Sequence, residues 1–389
     1  MPSIMINIKK RLTMEQKVLF KVHMPKSVDK PLLEVLHSGF IGQGKKVDEF
    51  EEKLGEYFGN KKVLTLNSGT SGLHLALRLA NVGYEDEVIT TAMTCTATNM
   101  PILAAGAKIV WADINPITGL IDPQAIEKKI TSKTKAIIMV HFGGIPCDID
   151  AINIIAKKHN LMTIEDGAHA IGAEYKGSKI GNHSDFIMFS LQAIKHFTTI
   201  DGGLLLCKDQ NDYERGKLLR WYGIDRDAKR KEFRCEEDIV EYGYKYHMND
   251  ISATIGIEQL KYIDEIVNKH IDNQEYYDLA LQNIKGVTVI TKPNTSKSSS
   301  WLYTLHIDKR DLFSVWMSEQ GIMTSRVHER NDKHTAFNGS LCELPGVDAF
   351  NATQISIPVG WWITPQDREY IVSKIKIFSK EFIEGQGGD

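Results

Sequence analysis

Ser190-Leu191-Gln192-Ala193-Ile194-Lys195-His196-Phe197-Thr198-Thr199-Ile200-Asp201-Gly202-Gly203 is the stretch on which the fold and chemistry of this chain turn. The run before it, Asp185 to Phe189, reads as a buried strand, and Gly202 to Cys207 reads as the next. Lys195 therefore falls on the connection between two strands. A primary amine becomes nucleophilic toward carbonyls when a partly desolvated or cationic setting lowers its pKa, and imine formation with a cofactor aldehyde is a common use of such a lysine. A lone turn lysine is more often simply solvated, so its meaning depends on its company.

Outward from there, the strand-like run Leu161 to Glu165 ends at Asp166, within Thr163-Ile164-Glu165-Asp166-Gly167-Ala168-His169-Ala170. Adjacent side chains on a strand point to opposite faces, so Glu165 and Asp166 cannot share one. A buried carboxylate needs a partner, and a protonated ring nitrogen is one that also makes chemical use of the charge. The alternative role for Asp166 is an N-cap; His169 could stack on or hydrogen-bond to a ring, or sit satisfied in the core. Further upstream, Lys62 to Leu66 reads as a strand, followed by Asn67-Ser68-Gly69-Thr70-Ser71-Gly72 and a helix carried by Leu73, Ala76, Leu77 and Ala80. That order leaves free N–H groups and a helix dipole facing one spot, which suits a phosphate, although the spacing is not that of a P-loop. An amine, a carboxylate and an anion cradle together match pyridoxal phosphate: Lys195 for its aldehyde, Asp166 for its pyridine nitrogen, the Gly69 to Gly72 turn for its phosphate.

Further strand-like runs at Glu87 to Thr91, Lys108 to Asp113 and Ala136 to His141 are apolar in the manner of a sheet buried on both faces. Helices are expected between them at 99–105, 123–130 with Asp122 as N-cap, and 149–159. That is an α/β chain with a mainly parallel, helix-covered sheet, and ligands of such sheets settle at the carboxyl ends of the strands, where Gly69, Asp166 and Lys195 fall. Helical spacing is also present in Pro31 to His37 and Val47 to Phe58. From about Tyr262 the pattern changes to a long helix, Gly286 to Thr291, a polar loop through Ser298-Ser299-Ser300 and an alternating strand Trp301 to Ile307, as in a smaller α+β domain. The expected division is 21–261 and 262–389.

At 389 residues, 42% hydrophobic and 25% charged, the chain has the composition of an ordinary soluble enzyme of two domains. A net charge of -3 leaves no basic field for nucleic acid, although a cluster such as Arg226 to Lys231 could meet a small anion. Five scattered cysteines without CxxC spacing suggest neither a disulfide framework nor a zinc site, so no metal is expected. No run approaches membrane-spanning length, and Met1 to Val18 lacks the pattern of a signal peptide. A reducing cytoplasm follows as the expectation.

With these residues in place the sequence resembles the DegT/DnrJ/EryC1/StrS family of sugar aminotransferases, which have the type I pyridoxal-phosphate (aspartate aminotransferase-like) fold. The matching stretches are Gly39 to Gly44, Asn67 to Thr70, Val140 to Gly143, Glu165 to His169, Ser190 to Gly203 and Gly243 to Leu260. The resemblance implies that Lys195 forms the imine and shuttles the proton, that Asp166 pairs with the pyridinium nitrogen, and that Gly69, Thr70 and Ser190 bind the cofactor phosphate. It further implies glutamate as amino donor, a pyridoxamine form between the two half-reactions, and as acceptor a nucleotide-linked keto-6-deoxy hexose, at C-4 or otherwise C-3. Glycan, lipopolysaccharide or antibiotic sugar synthesis is the implied setting. His169 stands where the family usually has a glutamine that contacts the cofactor. Cys95 stands where many members have an aromatic stacked on the ring, and Lys245 replaces an asparagine that reaches the phosphate of the neighbouring subunit, implying a homodimer with shared sites. Loop residues His328 and Arg330 are the expected sugar-nucleotide contacts, and Trp361-Trp362 stack on a base or sugar or anchor the core. A related sugar 3-dehydratase has histidine for the lysine; a shift of register by one would put His196 there. A non-catalytic cofactor-binding regulator would keep Lys195 and Asp166 without turnover.

Overall fold

The computed structural model describes residues 16–228, 232, 238–337, 339 and 341–386. Cys235, the end of the basic cluster at 229–231 and most of the amino-terminal tail lie outside them. In chain order the strands are β1 (Val63–Leu66), β2 (Glu87–Thr91), β3 (Lys108–Ala112), β4 (Thr134–Val140), β5 (Met162–Asp166), β6 (Glu174–Tyr175), β7 (Ser178–Lys179), β8 (Phe186–Ser190), β9 (Gly203–Cys207), β10 (Val287–Val289), β11 (Ser296–Lys297), β12 (Tyr303–Ile307) and β13 (Gln354–Ile357). Seven of them form the central sheet in the order β1-β9-β8-β5-β4-β2-β3. The pairs β8/β5, β5/β4, β4/β2 and β2/β3 are parallel, and β9 alone runs against both its neighbours, β8 and β1.

The strands are nearly continuous apolar runs because both faces of the sheet are covered. Their alternation still sorts side chains into two cores: Ile137, Met139, Ile187, Phe189, Leu204 and Leu206 pack on one face. Ala136, Ile138, Ile164, Phe186, Met188 and Leu205 pack on the other. Cross-strand register puts Met139 beside Glu165 and Val140 beside Asp166, so the two acids point to opposite faces, as the period of two requires. Glu165 meets His141 at 2.7 Å, both fully buried; Asp166 lies on the face of Met188.

Helices connect the parallel strands. Lys45–Phe58 turns Val47, Phe50, Leu54 and Phe58 inward at helical spacing and stops at Gly59, whose φ of 65° is the left-handed conformation glycine adopts without strain. Ile149–His159 spans the residues expected of it, capped by Asp148. The helix expected at 123–130 is shorter, Pro123–Glu127, with Asp122 accepting from the Gln124 N–H; the one expected at 99–105 begins earlier, in Thr96–Ala104, and contains Pro101.

The C-terminal part builds the antiparallel sheet β10-β12-β13, flanked by Ile263–Ala280, Arg310–Glu319 and Pro365–Phe378, the last opened by a Thr364/Asp367 capping box. It has a core of its own, including Tyr277, Leu305, Phe313, Ile357, Ile371 and Phe378. Trp301, Leu302, Val347 and Phe350 instead join the core of the large sheet, and β11 pairs with β6. The Ser298-Ser299-Ser300 segment is a loop as its composition suggests, yet Ser299 and Ser300 are fully buried rather than solvated. Among the described residues no helix is long and apolar enough to cross a membrane.

Candidate active site

The ends of β1, β5 and β8 open on one edge of the sheet, and β9 starts there because Gly203 pairs with both Leu66 and Ser190. The 191–202 connection is closed by its own backbone: the Leu191 N–H donates to Gly202 O at 2.9 Å, and the Thr199 N–H donates to Leu191 O at 3.0 Å. Its tether leaves Lys195 Nζ without a hydrogen bond among the described residues, 3.6 Å from the centroid of the Trp301 ring. Burial brings the amine down to about 8, with the nearby Asp166 and Cys95 pulling the other way. His196 points elsewhere: its Nε2 meets the Ser299 carbonyl at 2.9 Å and its ring meets His270 edge to face. It therefore does not occupy the reactive position that a one-residue shift would give it.

Asp166 is no helix cap; it is followed by a turn. Its Oδ1 accepts from the Ala168 N–H at 3.0 Å and its Oδ2 from the Thr98 hydroxyl at 2.7 Å. Burial pushes its carboxyl above the usual range, while the Thr98 and Ala168 hydrogen bonds and then Lys195 pull it back. A cationic ring nitrogen against this carboxylate would remove that desolvation penalty, so the residue fits a pyridinium. His169 lies between two rings: it stacks on Trp301 at 3.9 Å and lies parallel to His328 at 5.6 Å. Its Nδ1 accepts from the Gly143 N–H at 3.3 Å, which places the ring hydrogen on Nε2 as a donor. Burial, then the charge of Lys195, keeps His169 neutral.

The Gly69 to Gly72 turn follows β1 directly. Ser68 caps the helix Gly69–Leu79 by accepting from the Ser71 N–H at 3.0 Å, while the Gly69 and Thr70 amides find no acceptor among the described residues. A Cβ on Gly69 would meet Met188 Sδ at 2.8 Å and Ser190 Cβ at 3.3 Å, so the turn is pressed against the end of β8. Ser190 is half-buried beside it, and Thr70 is exposed. Free amides at a helix start next to a hydroxyl suit a phosphate ester. Cys95 is half-buried at the N-cap of Thr96–Ala104.

A family model of the DegT/DnrJ/EryC1/StrS aminotransferases matches residues 23–376. The chain belongs to this family. It is a pyridoxal-phosphate-dependent sugar aminotransferase of type I fold. It is 37% identical over 360 residues to UDP-4-amino-4-deoxy-L-arabinose--oxoglutarate aminotransferase of Shewanella sediminis, covering 88% of this chain and 92% of that one. To UDP-4-amino-4,6-dideoxy-N-acetyl-beta-L-altrosamine transaminase of Campylobacter jejuni it is 34% identical, covering 87% and 91%. Among solved structures, the sugar aminotransferase CalS13 of Micromonospora echinospora superposes with a TM-score of 0.89 at 36% identity, over 92% of this chain and 99% of that one.

Within this aminotransferase the remaining expected residues fall unevenly. His328 faces the site: its ring lies beside His169 and Phe142, its buried Nε2 has no hydrogen-bond partner among the described residues, and burial followed by Lys195 brings it down to about 4. Arg330 corrects the expectation of a sugar contact. It is 5% exposed, its Nε and Nη2 donate to Asp332 at 2.7 and 2.6 Å, its Nη2 also reaches Cys342 O, and its Nη1 pairs with Asp348. A guanidinium so engaged is a strut between loops, not a free anion hook. Residues of the 218–226 segment, Arg220 and Arg226 among them, line a separate cavity of about 1080 Å³ with Gln43, Asp48 and Glu51, where Arg220 is paired with Glu51. Lys245 is exposed, and its carbonyl accepts from Asn67 Nδ2 at 3.1 Å beside the Gly69 turn. Trp362 donates to Val18 O at 3.0 Å and packs near His270, which makes it an anchor. Thr98 and Trp301 carry no local mark in the sequence, because each acts through a partner distant in the chain.

Proposed function

We propose that this aminotransferase moves an amino group from glutamate to a nucleotide-linked keto-6-deoxy sugar, at C-4 ahead of C-3, with uridine diphosphate as the first carrier to test. The observation that carries the chemistry is the buried amine of Lys195, without a hydrogen bond among the described residues, at the same sheet edge as Asp166 and the Gly69 and Thr70 amides, which find no acceptor among those residues. The choice of sugar leans on the two relatives named for UDP-4-amino sugars, one of them named also for oxoglutarate, the keto acid that glutamate leaves behind.

When bound, pyridoxal phosphate supplies an electrophilic carbon for amines and an electron sink for the carbanion formed at their α-carbon. The chain's residues do the rest. Lys195, brought down to about 8, is neutral in roughly a tenth of molecules at pH 7, so its Nζ could take the α-proton of the donor and pass it, in the same half-reaction, to the carbon that had carried the aldehyde; in the opposite half-reaction it would run the transfer in reverse and put a proton on the sugar carbon that gains the amine. Asp166 would keep the ring nitrogen protonated. Thr98 and Ala168 hold that carboxylate in one orientation while leaving it lone pairs to spare. His169 would offer Nε2–H to an oxygen of the ring, and Gly69, Thr70 and Ser190 would hold the phosphate. Cys95 would contact the ring from the start of the helix Thr96–Ala104, and His328, whose Nε2 has no hydrogen-bond partner among the described residues, would meet the sugar. Lys245 serves the phosphate of the partner subunit in a homodimer with shared sites, working in the cytoplasm.

Incubating the purified protein with cofactor, glutamate and a panel of nucleotide ketosugars tests this reading. Mass spectrometry should show the change of ketone to amine first with a UDP-linked 4-keto sugar. Conversion of 3-keto sugars alone, or loss of water without consumption of glutamate, would contradict it.

A further inference from the structure

Trp301 stands at the centre of the contacts around Lys195. Its indole N–H donates to the carbonyl of Ile194, the residue before the lysine, at 3.0 Å, and Nζ lies 3.6 Å from its ring centroid. The same side chain stacks on His169 at 3.9 Å and against Phe20 at 5.1 Å. The segment that delivers it is fixed on every side. Ser299 Oγ donates to the His169 carbonyl at 2.8 Å, the Ser299 carbonyl meets His196, and the Ser300 carbonyl meets His270 Nδ1 at 3.0 Å. Ser300, just before the tryptophan, has a φ of 54°, a conformation that a non-glycine residue keeps only where its surroundings over-determine it. Val327, just before His328, has a φ of 63°. Strain is thus stored next to both rings that the C-terminal part lends to the site.

An aromatic face this close to an ammonium attracts it, and more strongly where water is excluded. Lys195 Nζ has no carboxylate in ion-pair contact among the described residues, so the indole is the group that meets its charge directly.

We propose that Trp301 is a positioning residue for Lys195: its indole face is the seat of the ε-ammonium whenever that nitrogen is free, and its bond to Ile194 O fixes the direction from which the amine returns. This rests on Lys195 as the reactive amine. The seat limits the rotamers open to a long side chain and favours the charged form, so it also sets how readily the amine gives up its proton.

The test uses the cofactor-free full-length protein. Reductive methylation with formaldehyde and cyanoborohydride, followed at the Lys195 peptide by mass spectrometry from about pH 6.5 to about pH 9.5, reads the titration of that amine. Trp301→Leu keeps the site apolar but removes the ring, and should lower the midpoint by about 0.5 to 1.5 pH units. Trp301→Phe restores a weaker face and should recover at least half, but not all, of that shift. A midpoint in Trp301→Leu equal to or above that of wild type overturns the proposal. Should the leucine variant fail to fold, Trp301→Phe decides alone: a smaller shift of the same sign supports the seat, and an unchanged midpoint rejects it. Because the labelling needs no cofactor, failure of Lys195 to hold the aldehyde and failure of this shift are separate results.

Discussion

His328 and Arg330 are two residues apart and face different tasks. The histidine has, among the described residues, a buried nitrogen without a hydrogen-bond partner beside the Lys195 amine, whereas the arginine has donors spent on two aspartates and a carbonyl. His328→Ala should therefore raise KM for the sugar about tenfold while the melting temperature stays near that of wild type. Arg330→Met should do the reverse. Breaking a buried ion pair from one side costs about 3 kcal/mol or more, so thermal unfolding should come several degrees lower with KM little changed. Steady-state kinetics and a melting curve on both variants check this. The difference is not legible in Arg326 to His334, where composition marks a charged loop but not which side chains have partners; Asp348 is supplied by a distant helix. Asp166 is legible because a carboxylate that closes an apolar strand leaves water and has to meet a cation or hydrogen-bond donors at the strand's carboxyl end. Trp301 is not, because its meaning comes from Lys195 and His169, both more than a hundred residues away.

At the scale of elements, the antiparallel insertion of β9 between β8 and β1 holds the Lys195 connection and the Gly69 turn together. Gly203 is the point of closest approach, since a Cβ there would lie 2.4 Å from the Ser68 carbonyl carbon. That neighbour is backbone and cannot move aside cheaply. Gly203→Ala should cost about 1 to 3 kcal/mol, read by urea unfolding, and should weaken cofactor binding because the Gly69 turn is displaced; unchanged stability and affinity would contradict this packing. The strands of the sheet are readable as apolar runs, and Glu87 to Thr91 spans the strand observed. The pairs β6/β7 and β11 are not, because two-residue strands carry no period. The helix after Asp122 ends in a turn at Lys128 and Lys129, which the apolar Ile130 disguises in the sequence.

Across the whole molecule, a set of buried histidines ties stability to pH. His270 and His328 are each brought down to about 4, and His169 and His196 are also held neutral, burial being the first cause in every case. A histidine held below its ordinary value is uncharged in the folded protein, while the unfolded chain takes up a proton as pH falls through about 6.5. Stability is therefore full above that point and is lost toward pH 4, by about 1.5 kcal/mol per ring between pH 6.5 and 5. Melting of the cofactor-free protein at pH 7 and pH 5 should show the loss, and His270→Gln should flatten it by about one ring's share; an unaltered slope in that variant would count against it. The alternating run that contains Tyr303–Ile307 is legible as a strand, but not the return of Trp301, Val347 and Phe350 into the core of the large sheet, since no local period records which face a distant segment will cover. The proposed chemistry of the whole molecule depends on one covalent bond. After incubation with pyridoxal phosphate and reduction with borohydride, peptide mapping by mass spectrometry should find the reduced cofactor on Lys195 and nowhere else, and Lys195→Ala should carry none. Label on another lysine, or equal label in the alanine variant, would contradict it.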